Sequence, residues 1–185
     1  MKVGITQRIY VEPYNGFTYN TLQTAWYSFL TDHTIIPIPN DLNYPLIEDI
    51  DVLILGGGQR HPIRDIIENK LIEKYKGVIP IIGICHGLRV LTEYFGGTIK
   101  DIENHQGTEH LIKYDDKYYT VNSFHKTAID KLPNRFSHVK TLATTVEEDP
   151  TVESWYNEKL RIGGTMWHPE RGCIIPKEIG TWLNK

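Results

Sequence analysis

Cys85 sits in Gly83-Ile84-Cys85-His86-Gly87, directly after the apolar pair Ile81-Ile82 and before Leu88-Arg89-Val90-Leu91. A nucleophile on a sharp strand-to-helix turn needs small residues two before and two after it, because a Cβ there would meet neighbouring backbone. Glycine stands at both positions. The same turn puts the sulfur at a helix N-terminus, where free N–H groups and the helix dipole favour the thiolate, the nucleophilic form. Alone, the pattern fits a buried core cysteine packed among glycines equally well.

A sulfur nucleophile needs an imidazole beside it and a group to orient that ring. Gly164-Thr165-Met166-Trp167-His168-Pro169-Glu170 offers both. In an extended segment residues i and i+2 point the same way, and Pro169 fixes the backbone between them, so Glu170 can reach the His168 ring. Gly56-Gly57-Gly58 adds a backbone N–H free to approach a tetrahedral oxyanion, alongside the N–H of His86. Each piece alone reads as a turn. Together on one sheet they describe an acyl-transfer site.

The elements that must position these residues follow from periodicity. Val3 to Thr6, Thr34 to Ile38, Asp51 to Leu55 and Val78 to Ile82 are short apolar runs suited to parallel strands covered on both faces. Between them, Leu22, Ala25, Trp26, Phe29 and Leu30 fall at helical spacing. So do Ile63, Ile66, Ile67, Leu71 and Tyr75, after Pro62 at a helix start. Alternating strand and helix predicts an α/β fold: an open, mostly parallel sheet with helices on both faces and sites at the carboxyl ends of strands. After Gly96-Gly97 the chain becomes strand-rich, with runs at Tyr118 to Val121, His138 to Val146, Val152 to Tyr156 and Leu160 to Met166, and a last helix at about 176–183.

With 185 residues, residues 1–185 read as a single domain. A hydrophobic fraction of 40% and a charged fraction of 23% suit a folded chain. A formal net charge of -3 provides no basic field for nucleic acid or an anionic membrane, so a small-molecule partner is expected. No signal peptide and no membrane span is read, which predicts a cytoplasmic protein. The two cysteines suggest reduced thiols. None of the eight histidines lies in Cys-x-x-Cys or His-Glu-x-x-His spacing, so neither a metal nor a cofactor is expected.

The strand ending in a glycine loop, the G-x-C-x-G turn and the late His-x-Glu, in that order, resemble the class I glutamine amidotransferase superfamily, which has a flavodoxin-like fold. Within it, Val3-Gly4-Ile5-Thr6, Val121-Asn122-Ser123-Phe124-His125 and Met166 to Arg171 are similar to the γ-glutamyl hydrolase branch. The resemblance implies Cys85 as nucleophile, His168 as base and acid, Glu170 as its orienter, and Gly57 and His86 as oxyanion donors. It places Ser123, Phe124 and His125 against the glutamyl α-carboxylate and amine. Gly58, Gln59 and Arg60 would line the mouth, or belong to a solvated loop. Arg89 stands where glutaminases usually carry a substrate-binding glutamine; it either pairs with Glu93 one turn on or binds an anionic part of the substrate.

The implied reaction is cleavage of a γ-glutamyl amide bond through a thioester, releasing glutamate. A narrower form of that expectation is γ-glutamyl-CDP-amidate in capsule phosphoramidate synthesis. The alternative is a glutaminase subunit that delivers ammonia to a separate synthase partner. A catalytically silent binding module is a third reading, disfavoured by the intact Cys, His and Glu set.

Overall fold

The computed structural model describes residues 1–45 and 49–184. In chain order the first half contains β1 (Lys2–Thr6), β2 (Arg8–Val11), β3 (Thr18–Thr21), α1 (Ala25–Phe29), β4 (Thr34–Ile38), β5 (Val52–Leu55), α2 (Pro62–Tyr75), β6 (Ile81–Ile84) and α3 (His86–Tyr94). The second half contains β7 (Thr98–Asp101), β8 (Gln106–Tyr114), β9 (Lys117–Phe124), β10 (Thr127–Lys131), β11 (Val139–Thr145), β12 (Val152–Asn157), β13 (Ile162–Thr165) and α4 (Lys177–Gly180). Short 3-10 turns follow at Pro169–Arg171 and Thr181–Leu183.

One sheet runs β4-β1-β5-β6-β13-β12-β11-β8-β9, with β10 and β7 attached beside β12. From β4 to β13 the neighbours are parallel; from β13 onward they are antiparallel. The strand-rich second half thus extends the α/β sheet sideways. The β2–β3 hairpin forms a separate two-stranded sheet.

The central strands have two dry faces. Leu53, Leu55 and Ile81 pack with Ile67, Leu71 and Ile72 of α2 and Leu88 and Leu91 of α3. The alternate residues Val52, Ile54 and Ile82 pack on the other face with Trp26, Leu30, Ile179 and Leu183. This period-2 division is why these strands read as continuous apolar runs. Each such side chain contributes roughly 1.5–3 kcal/mol when fully buried.

Strands β2, β3, β7, β8 and β10 lie outside the expected runs, and three expected elements differ in bounds or buried face. The stripe from Leu22 to Leu30 yields a helix only over Ala25–Phe29, because Thr18–Thr21 pair with β2 and Leu22 lies just after that hairpin. The run from Val78 becomes strand only at Ile81. The N–H groups of Val78 and Ile79 bond back to Tyr75 O at 2.9 and 3.3 Å and finish the helix, and Pro80 has no N–H to give. In α2 the buried stripe is Arg64, Ile67, Glu68, Leu71, Ile72 and Tyr75, while Ile66 faces solvent at 47% exposure. A charged pair therefore occupies two positions of the core face.

That pair is fully buried. Arg64 Nε donates to Glu68 Oε1 at 3.0 Å, and its other nitrogens hold the carbonyls of Gly56 and Gly57. Glu68 also accepts from Thr6 Oγ1 at 2.7 Å and from His86 Nε2 at 2.9 Å. Thr6 Oγ1 in turn accepts the Gly56 N–H at 3.0 Å. The end of β1, the loop after β5, α2 and the start of α3 are joined through one carboxylate.

Burial opposes ionisation of Glu68, but the Arg64 charge and the His86 and Thr6 hydrogen bonds outweigh it and hold the carboxyl below its usual range. A depressed value means stability present above the unfolded value of 4.5 and lost as pH falls through the folded one. Replacing Glu68 by Gln leaves Arg64 charged without its counter-ion, so urea unfolding at pH 7 should show a loss of about 3 kcal/mol. The variant should also lose less stability on acidification than the wild type does.

Candidate active site

Gly56–Gly58 follow β5, Cys85 follows β6 and His168 lies three residues past β13, and these three strands are adjacent and parallel. Chain segments far apart in sequence therefore leave the sheet side by side at its carboxyl edge, where α/β proteins carry their sites.

Cys85 has φ 52 and ψ -102, a backbone conformation costing roughly 1–3 kcal/mol for a residue with a Cβ. The turn is held because Cys85 N–H donates to Thr165 O at 2.8 Å and α3 begins at the next residue. The turn is also tight. A Cβ on Gly87 would lie 2.0 Å from Leu55 O, and one on Gly83 would lie 2.5 Å from Leu88 N.

His168 is fixed from two directions. Its backbone N–H donates to Asn122 Oδ1 at 3.0 Å, and Asn122 Nδ2 donates to its carbonyl at 3.0 Å. Its ring Nδ1 lies 2.6 Å from Glu170 Oε1. A carboxylate can only accept, so Nδ1 carries the proton, and the Cys85 side chain is close enough to act on the same ring. Phe124 packs edge-on to the ring at 5.8 Å. Burial lowers the imidazole's affinity for a proton, but Cys85 and Glu170 outweigh it and raise the value to about 9. The arrangement can hold a proton on His168 at neutral pH and deliver it to a leaving group.

The His86 ring is held differently. Its Nε2–H donates to Glu68, so Nδ1 is the acceptor for Arg89 Nη2 at 3.2 Å. Burial outweighs the Glu68 contact and lowers its pKa, leaving the ring neutral. Its buried side chain locks the first residue of α3 in place, which fixes where the His86 backbone points.

A cleft of about 630 Å³ opens over Cys85 and His168. Gly58, Gln59, Arg60 and Phe124 line it, as do Gln106, Arg171 and residues Arg8 to Val11 of β2. Gly57 lies behind, so close that a Cβ there would come within 2.3 Å of His168 Cε1. Other expected contacts are elsewhere. The Ser123 hydroxyl is buried and donates to His105 O. His125 is buried, with Nδ1 on Thr127 O at 3.0 Å. Arg89 does not line the cleft or pair with Glu93; its Nη1 donates to Thr127 Oγ1 at 2.9 Å, and Glu93 takes Arg60 at 3.1 Å. These three side chains do not join Cys85 in the cleft.

Residues with no flag in the sequence also shape the site: Thr6, Arg64 and Glu68 beneath the glycine loop, Asn122 behind His168, and Arg8 on the hairpin. Thr6 and Asn122 alone had a signal, since they lie within the Val3 to Thr6 and Val121 to His125 segments, though neither was assigned a role.

The chain matches the model of the class I glutamine amidotransferase family over residues 9–173. It belongs to that family. The γ-glutamyl-CDP-amidate hydrolase of Campylobacter jejuni is 28% identical over 92% of this chain and 90% of its own length. Anthranilate synthase component 2 of Lactococcus lactis is 28% identical over 86% of this chain and 84% of its own. A solved GMP synthase-type protein of Thermoplasma acidophilum superposes with a TM-score of 0.75 at 18% identity, covering 99% of this chain and 92% of that one, which speaks to fold alone. This amidotransferase-family chain is an enzyme acting on an amide bond. Among the described residues no helix is long and apolar enough to cross a membrane.

The packing at Gly57 and the raised proton affinity of His168 set three outcomes. A Gly57→Ala side chain must displace an imidazole that is pinned at Glu170, so turnover should fall by about 10²-fold or more while the thermal midpoint moves little. In a kcat/KM profile the wild type should lose activity as pH rises through about 9, where His168 gives up its proton. The same raised value makes the His168 contribution to stability complete below 6.5 and absent above about 9, a dependence that His168→Gln should flatten.

Proposed function

We propose that this chain hydrolyses a γ-glutamyl amide whose leaving group is anionic, with γ-glutamyl-CDP-amidate as the substrate that fits best. The reading rests on one observation. The cleft that holds Cys85 and His168 is also lined by three guanidinium side chains, Arg8, Arg60 and Arg171. Arg60 is shared between Asp65 and Glu93, and Arg171 is spread over the Phe124 ring and donates to Gln23, but Arg8 makes no ion pair among the described residues. A guanidinium without a counter-ion beside a nucleophile suits a phosphate oxygen, which it can grip with two parallel hydrogen bonds. The whole-length similarity to a protein named for that hydrolysis supports the same substrate.

In this reading Cys85 attacks the γ-carbonyl carbon while the N–H groups of Gly57 and His86 receive the oxyanion. The C–N bond breaks as the leaving nitrogen takes the proton from His168, giving a thioester and free cytidine diphosphoramidate. Water then gives a proton to His168 and attacks the thioester, releasing glutamate and the Cys85 thiolate. Glu170 keeps the ring oriented throughout. Arg8 takes the anion-binding part that the sequence suggested for Arg89.

A second reading, a glutaminase subunit serving a synthase, is supported by the similarity to anthranilate synthase component 2. The two are separated by assaying glutamate release from purified protein with L-glutamine, γ-glutamyl amines and γ-glutamyl-CDP-amidate, with Cys85→Ala as blank. The hydrolase reading expects kcat/KM at least about 100-fold higher for the diphosphate adduct than for glutamine, the worth of one or two charge-assisted contacts. Arg8→Ala should raise KM for that adduct by about tenfold or more and leave neutral γ-glutamyl amines unaffected. Activity on glutamine alone, switched on by a partner, would establish the second reading instead.

A further inference from the structure

Away from the cleft, His105, His110, His125 and Glu153 bring one ligand atom each to within 4.8 Å of one another. They come from the residue before β8, from β8 itself, from the residue after β9 and from β12. We propose that these four side chains form a closed structural site for a divalent first-row transition metal, zinc being the best match.

The orphaned atoms make the case. His105 Nδ1, both ring nitrogens of His110, His125 Nε2 and Glu153 Oε2 are buried and have no hydrogen-bond partner. Buried polar atoms without partners are costly and uncommon, and here all four residues that converge on one point carry at least one. Hydrogen bonds made outward decide which atoms face inward. His125 Nδ1 donates to Thr127 O at 3.0 Å, which leaves Nε2 as a bare lone pair. His105 Nε2 lies 3.3 Å from Glu147 Oε1, outside the cluster, and its Nδ1 has no partner. Glu153 accepts from Thr151 Oγ1 through Oε1 and keeps Oε2 free.

The inward-facing atoms converge on Glu153. His125 Nε2 lies 3.6 Å and His110 Nε2 3.4 Å from the same Glu153 Oε2. Both distances are longer than a normal N–H···O hydrogen bond. Both match the edge of a tetrahedron, about 3.4 Å, when a metal is held at roughly 2.1 Å from nitrogen and oxygen ligands. Three imidazoles and one carboxylate suit zinc in donor type, and the carbonyl and carboxylate behind the rings are the outer partners such ligands ordinarily have. Four protein ligands with no open position make the site structural rather than catalytic.

Its place in the fold gives it a task. His105 precedes Gln106 and His125 follows Phe124, two residues that line the cleft, and the Ser123 hydroxyl holds the His105 carbonyl between them. A metal here ties the ends of β8 and β9 to β12, and so to the sheet that carries His168. His105 and His110 have a His-x4-His spacing that zinc sites use, but His125 and Glu153 are distant in sequence and the Cys-x-x-Cys and His-Glu-x-x-His spacings are absent, which is why the sequence predicted none.

The test uses untagged protein purified from zinc-supplemented medium. Elemental analysis should give about one zinc per chain, and cobalt substitution should give the intense visible bands of tetrahedral nitrogen and oxygen coordination. Stripping with a chelator should lower the thermal midpoint by about 5 °C or more, and zinc should restore it. His110→Gln and Glu153→Gln should reduce metal content about tenfold, with His138→Ala, an exposed histidine, as the unaffected control. Wild-type protein that stays metal-free in excess zinc, with a midpoint indifferent to zinc and chelator, overturns the proposal. Metal retained by both variants overturns it too.

Discussion

The buried contact between Arg64 and Glu68 is the interaction on which the site depends. Desolvating both charges is costly, and the pair survives because every remaining hydrogen-bonding direction leads to a group that must be fixed: two glycine-loop carbonyls, the Thr6 hydroxyl and the His86 ring. A hydrophobic pair of the same volume would pack α2 on the sheet equally well, but it would release the glycine loop and the first residue of α3. The ions are there for position. This explains why α2 spends two positions of its core stripe on charges while Ile66 is left in solvent.

The rest of the chemistry is set by the sheet. Because β5, β6 and β13 are adjacent and parallel, the glycine loop, Cys85 and the His168 segment emerge next to one another without long loops. Gly164 of β13 lies so close to Gly83 of β6 that a Cβ on it would stand 1.8 Å from Gly83 O. Small residues on neighbouring strands thus let the elbow and the histidine segment approach, and Asn122 then fastens the latter from the antiparallel side. The antiparallel extension is a second support rather than an ornament on the fold.

Much of this was legible in the residues. Central strands advertise themselves as apolar runs, and an elbow demands glycines at fixed offsets, so β1, β4, β5, α2 and the turn at Cys85 could be read locally. The short α1, the late start of β6 and the hairpin could not. Their boundaries are decided by pairing and by backbone hydrogen bonds made after the chain has folded back. Arg64 and Glu68 look like an ordinary surface pair at i and i+4. Nothing nearby in sequence says that their face of the helix is the inner one. Arg89 illustrates the opposite case: its position in the family pattern suggested either the substrate or Glu93 as partner, but its guanidinium is held by Thr127 at the start of β10.

The β2–β3 hairpin shares no strand pairing with the main sheet, yet it supplies Arg8 and the adjoining wall of the cleft. On the proposed reading, bond cleavage and substrate choice are carried by separately paired parts of the chain. On that reading the hairpin is where charge can change while the strand pairings that set Cys85 and His168 stay as they are. A lineage could acquire a new leaving group by altering about a dozen surface residues between β1 and α1, with the ancestral chemistry intact at every step.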